Sequence, residues 1–377
     1  MEKNSKRNKK NQANEGRIHP ELVPSVNQDG NSIGIDLGDR RSHYGVLDRQ
    51  GEIIAEGSVA TRREEFSANF SGLAKARIAL EVGTHSAWVS ELLTECGHEV
   101  VVANPRRMES ISKNRRKNER VDARTLARLV RADPELLYPI RHRGPQARRD
   151  LMGLRARQAL VEARTGLINS VRGLVKSMGA RMPECSAESF AQPVDALPEN
   201  LRATLKPLLQ QVAALTARIR QYDGQIEIMA QKRYPPSGLL RQVKGVGALT
   251  AVAYLLTLDD PARFEKSREV GPYLGLVPRQ DDSGDSSPPL GITKTGDTML
   301  RRLLVGSAPY ILGPFGEDCD LRRLGLKLAA RGGKNAKKRA VVAVARKPAV
   351  LLHSLWVTGE VYEPLRHNAP PKSRAVA

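Results

Sequence analysis

The chain contains only three cysteines, and we expect neither a signal sequence nor a membrane-spanning segment in it. Cys96, Cys185 and Cys319 are far apart, odd in number and without metal-ligand spacing, which favours a reduced protein without structural zinc. The N-terminus has no apolar core of the kind found in signal peptides. No apolar run approaches the length that spans a bilayer. We therefore expect a cytoplasmic, nucleoid-associated protein without a membrane partner.

The chain has a large excess of positive charge. It has 61 basic and 41 acidic residues, a formal net charge of +20. Such a charge favours a polyanionic partner, because binding to phosphates releases condensed counterions. It favours nucleic acid over a merely solvated basic surface, but it does not distinguish DNA from RNA.

The N-terminal part has the pattern of a mixed α/β domain. Residues 1–30 are polar and lysine-rich, and we expect a disordered basic tail. Alternating apolar residues then predict three strands, a helix, a strand, a helix, a strand and a long basic helix, within a domain over 31–145. This order is typical of an RNase H-like fold, in which the fourth strand lies beside the first.

The middle of the chain, 146–235, predicts a helical connector. One stretch holds a heptad seam, the signature of a coiled coil: Leu201, Leu205, Leu208, Val212, Leu215, Ile219, Tyr222, Ile226 and Met229. An earlier helix carries a seven-residue ladder, Leu154, Val161, Ile168 and Val175, with Val171 and Met178 beside it. An antiparallel helical hairpin is expected, whose seam pairs either internally or between subunits. A mainly helical domain over 236–362 and a loose tail over 363–377 follow.

Four carboxylates are candidates for a metal site. Asp36 lies on the opposite strand face from Ile33 and Ile35, and Glu81 ends the neighbouring strand. Glu119 and Asp122 share a helix face because they are three residues apart. Four oxygen donors at one point suit Mg²⁺, and two such ions can hold a phosphodiester. Each residue alone also fits an ordinary cap, strand end or surface ion pair.

The C-terminal domain contains a glycine-rich turn that resembles a helix-hairpin-helix. In the segment Val243-Lys244-Gly245-Val246-Gly247, Gly245 and Gly247 let the backbone approach a phosphate, and the next helix presents free N–H groups to it. A tight helix–helix turn without a ligand is the alternative. We favour a phosphate contact that also involves Lys244, because of the positive charge.

Further along lie a candidate nucleophile and several cations. Ser283 precedes a glycine in a polar loop, where its hydroxyl would be accessible, although Ser-Gly is also a common turn. Composition alone leaves four other hydroxyls open: Ser286, Ser287, Thr293 and Thr295. Basic residues could clamp the DNA backbone; the candidates are Arg279, Lys294, Arg301 and Arg302. For each of them the alternative is a solvent-exposed basic surface without a ligand.

Taken together, these motifs resemble the IS110 family of insertion-sequence transposases. The N-terminal half is similar to that family's RuvC-like DEDD domain through the segments Ile33–Asp36, Ala79–Glu81 and Val121–Ala127. The C-terminal half is similar to the second domain through Val243–Gly247, Gly275–Arg279 with Ser283-Gly284, Ile292–Gly296 with Leu300–Arg302, and Ala340–Lys347. The resemblance spans roughly 32–362 and preserves the order of the motifs.

The resemblance implies a specific chemistry. In that family the four carboxylates bind Mg²⁺, and a serine of the second domain forms a covalent phosphoserine link to DNA. By position these residues are Asp36, Glu81, Glu119, Asp122 and Ser283. The family also implies a structured guide RNA and a homo-oligomer, a dimer or tetramer. RNA guidance would explain strong positive charge without a base-reading module.

The chain departs from the family pattern at two positions. Glu119 stands where an aspartate is usual, and its side chain is one methylene longer. Pro348 stands where the family usually has an apolar helix former. A proline inside a helix costs about 3 kcal/mol and is expected to kink it.

Three alternative functions remain at this point. A RuvC-type endonuclease would use water as nucleophile and would not need Ser283. An actin-like ATPase or sugar kinase shares the Ile33–Gly38 pattern, but its second phosphate loop and adenosine motif are missing from the sequence. A nucleic-acid-binding scaffold would need none of the carboxylates.

Overall fold

The computed structural model describes residues 29–105, 119–192, 197, 199–280, 290–333 and 335–366. The chain divides into two compact units, Met1–His142 and Arg143–Ala377. The predicted basic tail, apart from residues 29 and 30, lies outside the described residues, as does the predicted C-terminal tail from residue 367 onward.

The first unit is built on a five-stranded mixed sheet. Its strands are β1 (Ser32–Asp36), β2 (Arg41–Leu47), β3 (Ile53–Ala60), β4 (Arg77–Glu81) and β5 (Glu99–Ala103). They lie in the order β3-β2-β1-β4-β5. The first three form an antiparallel meander, while β4 runs parallel to both β1 and β5. The predicted meander and the predicted pairing of β4 with β1 are both confirmed.

Helices cover both faces of this sheet. They are α1 (Arg63–Phe70), α2 (Ser86–Glu95) and α3 (Glu119–Ala132). Because strand side chains alternate, Ile33 and Ile35 enter a core with Phe66 of α1 and Leu93 of α2. The opposite face packs against α3, whose Leu126 joins Ala79 of β4 in a second, smaller core.

The second unit begins with two long helices, α4 (Pro145–Ser177) and α5 (Glu199–Lys232). Arg157 on α4 contacts Asp223 on α5. Seven residues further along α4, Arg164 contacts Thr216, which lies seven residues before Asp223 on α5. The helices are therefore antiparallel, and their seam pairs within the chain. Met178 departs from the prediction, because its side chain is 62% exposed beyond the last turn of α4.

The rest of this unit packs around the base of that hairpin. It consists of α6 (Pro236–Leu240), α7 (Ala248–Leu258), α8 (Val270–Tyr273), α9 (Thr298–Leu312), α10 (Asp320–Ala329) and α11 (Ala336–Thr358). Leu154 of α4 and Ile226 of α5 share one core with Tyr254 of α7 and Leu352 of α11. The mixed α/β plus helical class predicted for the chain is confirmed.

Helix α11 corrects the expectation that no apolar run is long enough to span a bilayer, and it contains Pro348, at which a kink was expected. By length and composition alone it could cross a membrane, the one such helix in the described part of the chain. The sequence analysis did not predict this, because Arg346 and Lys347 interrupt the apolar run of the helix. Its residues Val344, Ala349 and Leu352 are fully buried in the core of the second unit. The helix continues through Pro348 without interruption.

Candidate functional site

Two of the four predicted carboxylates end neighbouring strands. In the parallel pairing of β1 with β4, Gly34 lies opposite Ala79 and Ile35 opposite Leu80. Asp36 and Glu81 are the next positions of these strands, and both are half-buried. Because side chains alternate along a strand, both carboxylates share the face of Gly34 and Ala79. They therefore stand at one edge of the sheet, on the side covered by α3.

Helix α3 lies directly on β1 at Gly34. A methyl group added to this glycine would overlap the carbonyl of Ala123 and the amide of Ala127. The side chain of Arg131, in the last turn of α3, donates to the carbonyl of Arg49 at 2.8 Å, and Arg49 in turn donates to the carbonyl of Asp29 at 2.9 Å. The end of α3 therefore lies beside the start of β1, and the first turn of α3 lies toward the end of β1.

This orientation carries the third carboxylate to the same edge. Asp122 is half-buried in the first turns of α3 and directly precedes Ala123, which contacts Gly34. Glu119 is the first residue of α3, but its side chain lies outside the described part. Among the described residues, no group of three or more His, Cys, Asp or Glu side chains is arranged to hold a metal ion. The carboxylate chemistry suits a hard cation such as Mg²⁺.

Two histidines lie near this edge that sequence reasoning missed. His43 of β2 is the direct partner of Asp36 in the antiparallel pairing, so both side chains share one face. His85 follows Glu81 in the loop before α2; its Nε2 lies 3.6 Å from Asp39 Oδ1, and its Nδ1 accepts from Trp88 Nε1 at 3.2 Å. The alternation of β2 across the predicted meander could have indicated His43.

The predicted nucleophile Ser283 lies in residues 281–289, outside the described part, as do Ser286 and Ser287. The chain on either side of this segment is paired. Pro278 forms a β-bridge with Ile292, the amide of Arg279 donates to Gly291 O, and that of Thr293 donates to Val277 O, both at 2.9 Å. A short antiparallel stem therefore joins the two motifs that flank the candidate serine.

Glycines lock this stem to the rest of the unit. Gly275 and Gly296 adopt φ values of +67° and +72°, which favour glycine. A methyl group on Gly275 would overlap the backbone of Thr295, and one on Gly296 would overlap the carbonyl of Tyr273. The two segments thus pack backbone against backbone, which explains the glycines at these motif positions.

Arg301 holds the same two segments together and is not a surface cation. It is 8% exposed, and its Nη1 donates to Leu274 O at 3.2 Å and to Thr295 O at 2.6 Å. Its Nη2 donates to the hydroxyl of Thr298 at 3.1 Å. The prediction that Arg301 contacts the DNA backbone therefore gives way to a structural role, since its donors already face protein carbonyls.

The predicted hairpin is present between α6 and α7. Gly245 adopts a φ of +83°, and a methyl group there would lie 2.7 Å from Ser307 O of α9. Gly247 is the N-cap of α7. The turn is therefore seated on α9, which gives its glycine a packing reason as well. Lys244 projects from the turn and contacts Glu317 at 2.6 Å, with side chains 50% and 77% exposed.

The other predicted phosphate contacts are exposed. Arg279 and Lys294 lie on either side of the stem, and Lys294 has a φ of +57°. Arg302 is 64% exposed and contacts Glu162 of α4 at 2.6 Å; hydrogen bonds from Gln158 and then Arg302 lower the pKa of Glu162. Exposed pairs of this kind are weak, so these cations remain accessible to a phosphate.

Comparison with known proteins identifies the family. A model of the IS110 DEDD domain, described as a transposase, matches residues 33–179, and a second, described as the transposase IS116/IS110/IS902 family, matches residues 237–312. These ranges contain the carboxylates Asp36, Glu81, Glu119 and Asp122, and the hairpin of Lys244. The chain belongs to the IS110 family of transposases.

Relatives support this along most of the chain. The transposase of insertion sequence element IS1111A from Coxiella burnetii is 28% identical over 88% of this chain and 90% of its own length. A probable family 20 transposase from Pseudomonas aeruginosa is 29% identical over 88% of this chain and 98% of its own length. An IS110-family transposase acts on DNA, so the chain is a DNA transposase.

Proposed function

We propose that this transposase cuts and rejoins DNA with Ser283 as nucleophile, assisted by Asp36, Glu81, Glu119 and Asp122. The observation that carries the proposal is the position of Asp36 and Glu81 at the ends of adjacent strands beneath α3. Such an edge is typical of RNase H-like and RuvC-like sites. A second support is the stem formed by the chain on either side of residues 281–289, which carries the exposed Arg279 and Lys294.

The carboxylates would hold Mg²⁺. Asp36, Glu81 and Asp122 share one edge of the sheet, and Glu119 begins the same helix as Asp122. When bound, Mg²⁺ supplies Lewis-acid stabilisation of charge on a transferring phosphate. The carboxylates would fix the place of that ion relative to the phosphodiester, because they are held on strands and a helix that pack directly on one another.

The serine reaction conserves bond energy. The Oγ of Ser283 attacks a DNA phosphorus, an Oγ–P bond forms, and one P–O ester bond of the DNA breaks. The hydroxyl proton leaves the serine, and the departing DNA oxygen takes up a proton. A DNA hydroxyl then attacks the phosphoserine: a new P–O ester bond of DNA forms, the Oγ–P bond breaks, the hydroxyl loses its proton, and Ser283 Oγ takes one up. Because one phosphodiester is exchanged for another, no ATP is needed.

The proposed partners are DNA, a structured guide RNA and further copies of the chain. The net charge of +20 supports a polyanionic assembly. Exposed Lys244, Arg279, Lys294 and Arg302 are candidates for backbone contacts. A dimer or tetramer would let carboxylates and serine come from one copy or from two. We place the protein in the cytoplasm, associated with the nucleoid.

A covalent trapping assay tests the proposal. Purified protein is incubated with Mg²⁺, co-expressed flanking RNA and DNA that carries the junction of the element, then denatured and separated on a gel. We expect a slowly migrating protein–DNA adduct that is lost in Ser283→Ala and in Asp36→Asn. Two matched controls should retain it: Ser286→Ala, three residues further along the sequence, and Glu99→Gln at the opposite edge of the sheet, where the carboxylate contacts Arg77.

The same gel tests the alternative. Cleaved DNA without an adduct, undiminished in Ser283→Ala, would mean that water is the nucleophile. The chain would then act as a RuvC-type nuclease, and the serine mechanism would be wrong. An adduct that persists in Ser283→Ala but disappears in Ser286→Ala would move the nucleophile within the loop.

A further inference from the structure

One phenylalanine is almost fully exposed to solvent, whereas the others in this protein are buried or partly buried. The chain has five phenylalanines, and all lie in the described residues. Phe66, Phe70 and Phe190 are completely buried, and Phe264 is partly buried against the core of the second unit. Phe315 is 92% exposed. A ring left in water does not gain the stabilisation that burial gives, so it is available to a ligand that covers it.

The loop that carries Phe315 is held rigidly. It follows α9, whose last carbonyls need partners because the helix ends there. Arg322 of α10 supplies them: its Nη1 donates to Ile311 O at 2.8 Å and to Gly313 O at 2.6 Å. A methyl group on Gly316 would overlap Ile311 O and the Arg322 guanidinium. The aromatic ring is therefore displayed on a braced turn and not on a loose end.

One lysine and one further exposed aromatic residue belong to the elements next to this loop. Glu317, two residues after Phe315, contacts Lys244 Nζ at 2.6 Å, which draws the tip of the hairpin to this loop. The hairpin itself sits on Ser307 O of α9, one helical turn before Tyr310, which is 70% exposed. We call Lys244, Tyr310, Phe315 and Glu317 the Phe315 patch.

We propose that the Phe315 patch binds an unpaired base of DNA, with Phe315 as the stacking surface and Lys244 as the contact to the adjacent phosphate. Base–aromatic stacking beside a backbone cation is the usual chemistry of single-strand binding. The exposed Lys244–Glu317 pair is weak, so a phosphate can replace Glu317. Duplex DNA does not offer a free base face, so the patch selects the unpaired strand that cutting and rejoining exposes. The inference rests on membership of a DNA transposase family and not on the serine mechanism.

Binding of full-length protein to a fluorescent oligodeoxynucleotide containing 2-aminopurine tests the patch. Phe315→Ala should weaken binding of the single strand by about 5-fold to about 100-fold, without changing the salt dependence. Phe315→Trp should restore binding and quench 2-aminopurine on stacking. Lys244→Gln should weaken binding and reduce the slope of log affinity against log salt by about 0.7. Duplex DNA of the same sequence should bind the wild type and Phe315→Ala equally.

Met178→Ala is the matched control. Met178 is also exposed, at 62%, but it lies about 40 Å along α4 from the buried Leu151 at the base of the hairpin, at 1.5 Å per residue. Met178→Ala should leave binding of the single strand unchanged. Because Phe315 makes few contacts, its alanine variant should melt at the wild-type temperature.

Three results would overturn the inference. One is equal single-strand binding by the wild type and Phe315→Ala. A second is a loss confined to RNA of the same sequence, which would make RNA the ligand. The third is a change of oligomeric state in Phe315→Ala with DNA binding intact, which would make the patch a protein interface. Ser283→Ala should bind the single strand normally, so failure of the serine mechanism and failure of this inference are separate outcomes.

Discussion

Asp36 and His43 lie directly opposite each other in the antiparallel pairing of β1 and β2, on the sheet face that α3 covers. The preceding pair, Ile35 with Tyr44, enters the core on the other face, which fixes the alternation. The imidazole of His43 therefore neighbours a carboxylate that we propose to be catalytic. Neighbours of this kind orient carboxylates by hydrogen bonding or packing.

His43→Ala should slow formation of the protein–DNA adduct by about 10- to 100-fold, because Asp36 loses a neighbour that helps to fix its position. The side chain is only half-buried, so the melting temperature should change little. A time course of adduct formation measures the effect, with His43→Gln as the conservative comparison, expected to retain more activity. Wild-type kinetics in His43→Ala would exclude a positioning role.

Gly34→Ala should destabilise the first unit by about 1–3 kcal/mol or more, because the added methyl group has no room against Ala123 and Ala127. Relief of the overlap requires α3 to move away from β1, which also displaces Asp122. The melting temperature and the amount of protein–DNA adduct should both decrease. Gly72→Ala is the control, since an added methyl group there meets no atom within 4 Å. Equal melting of the two variants would contradict the packing argument.

Adjacent arginines of α9 should behave in opposite ways. Arg301→Met should destabilise the second unit by about 2–4 kcal/mol, because the carbonyls of Leu274 and Thr295 lose the buried guanidinium that donates to both. Arg302→Met should change stability by about 1 kcal/mol or less, because its pair with Glu162 is exposed. If Arg302 contacts a DNA phosphate, its loss should reduce the salt slope of duplex binding by about 0.9. Chemical denaturation and binding titrations at several salt concentrations separate the two effects.

The sequence predicts the strands well, because their signal is local. Alternation in Ile33–Asp36 fixes which side chains enter the core, and the order of elements fixes that β4 lies beside β1. The heptad seam likewise predicts α4 and α5. It does not decide whether the seam pairs internally, since that depends on contacts such as Arg157 with Asp223 between residues far apart in sequence.

The errors come from packing between distant segments. Arg301 has the same sequence signal as Arg302, yet it is buried because α9 docks on the segment around Leu274. The prediction for Gly245 lacked a packing contact, because the space beside it is filled by Ser307 of α9; its phosphate contact stays a prediction. Phe315 escaped notice for the converse reason: a single phenylalanine predicts burial, and only the structure shows it exposed.

The position of α11 has a consequence for synthesis on the ribosome. This helix ends at Thr358 and supplies Val344, Ala349 and Leu352 to the core that Leu154 of α4 begins. At about 5–20 residues per second, roughly 10–40 s separate the emergence of α4 from that of α11. During this interval the nascent second unit has an open apolar face, while the first unit is already complete. A message truncated before the codon for Val344 would therefore yield the first unit attached to a second unit that lacks these core side chains and is a target for chaperones and proteases.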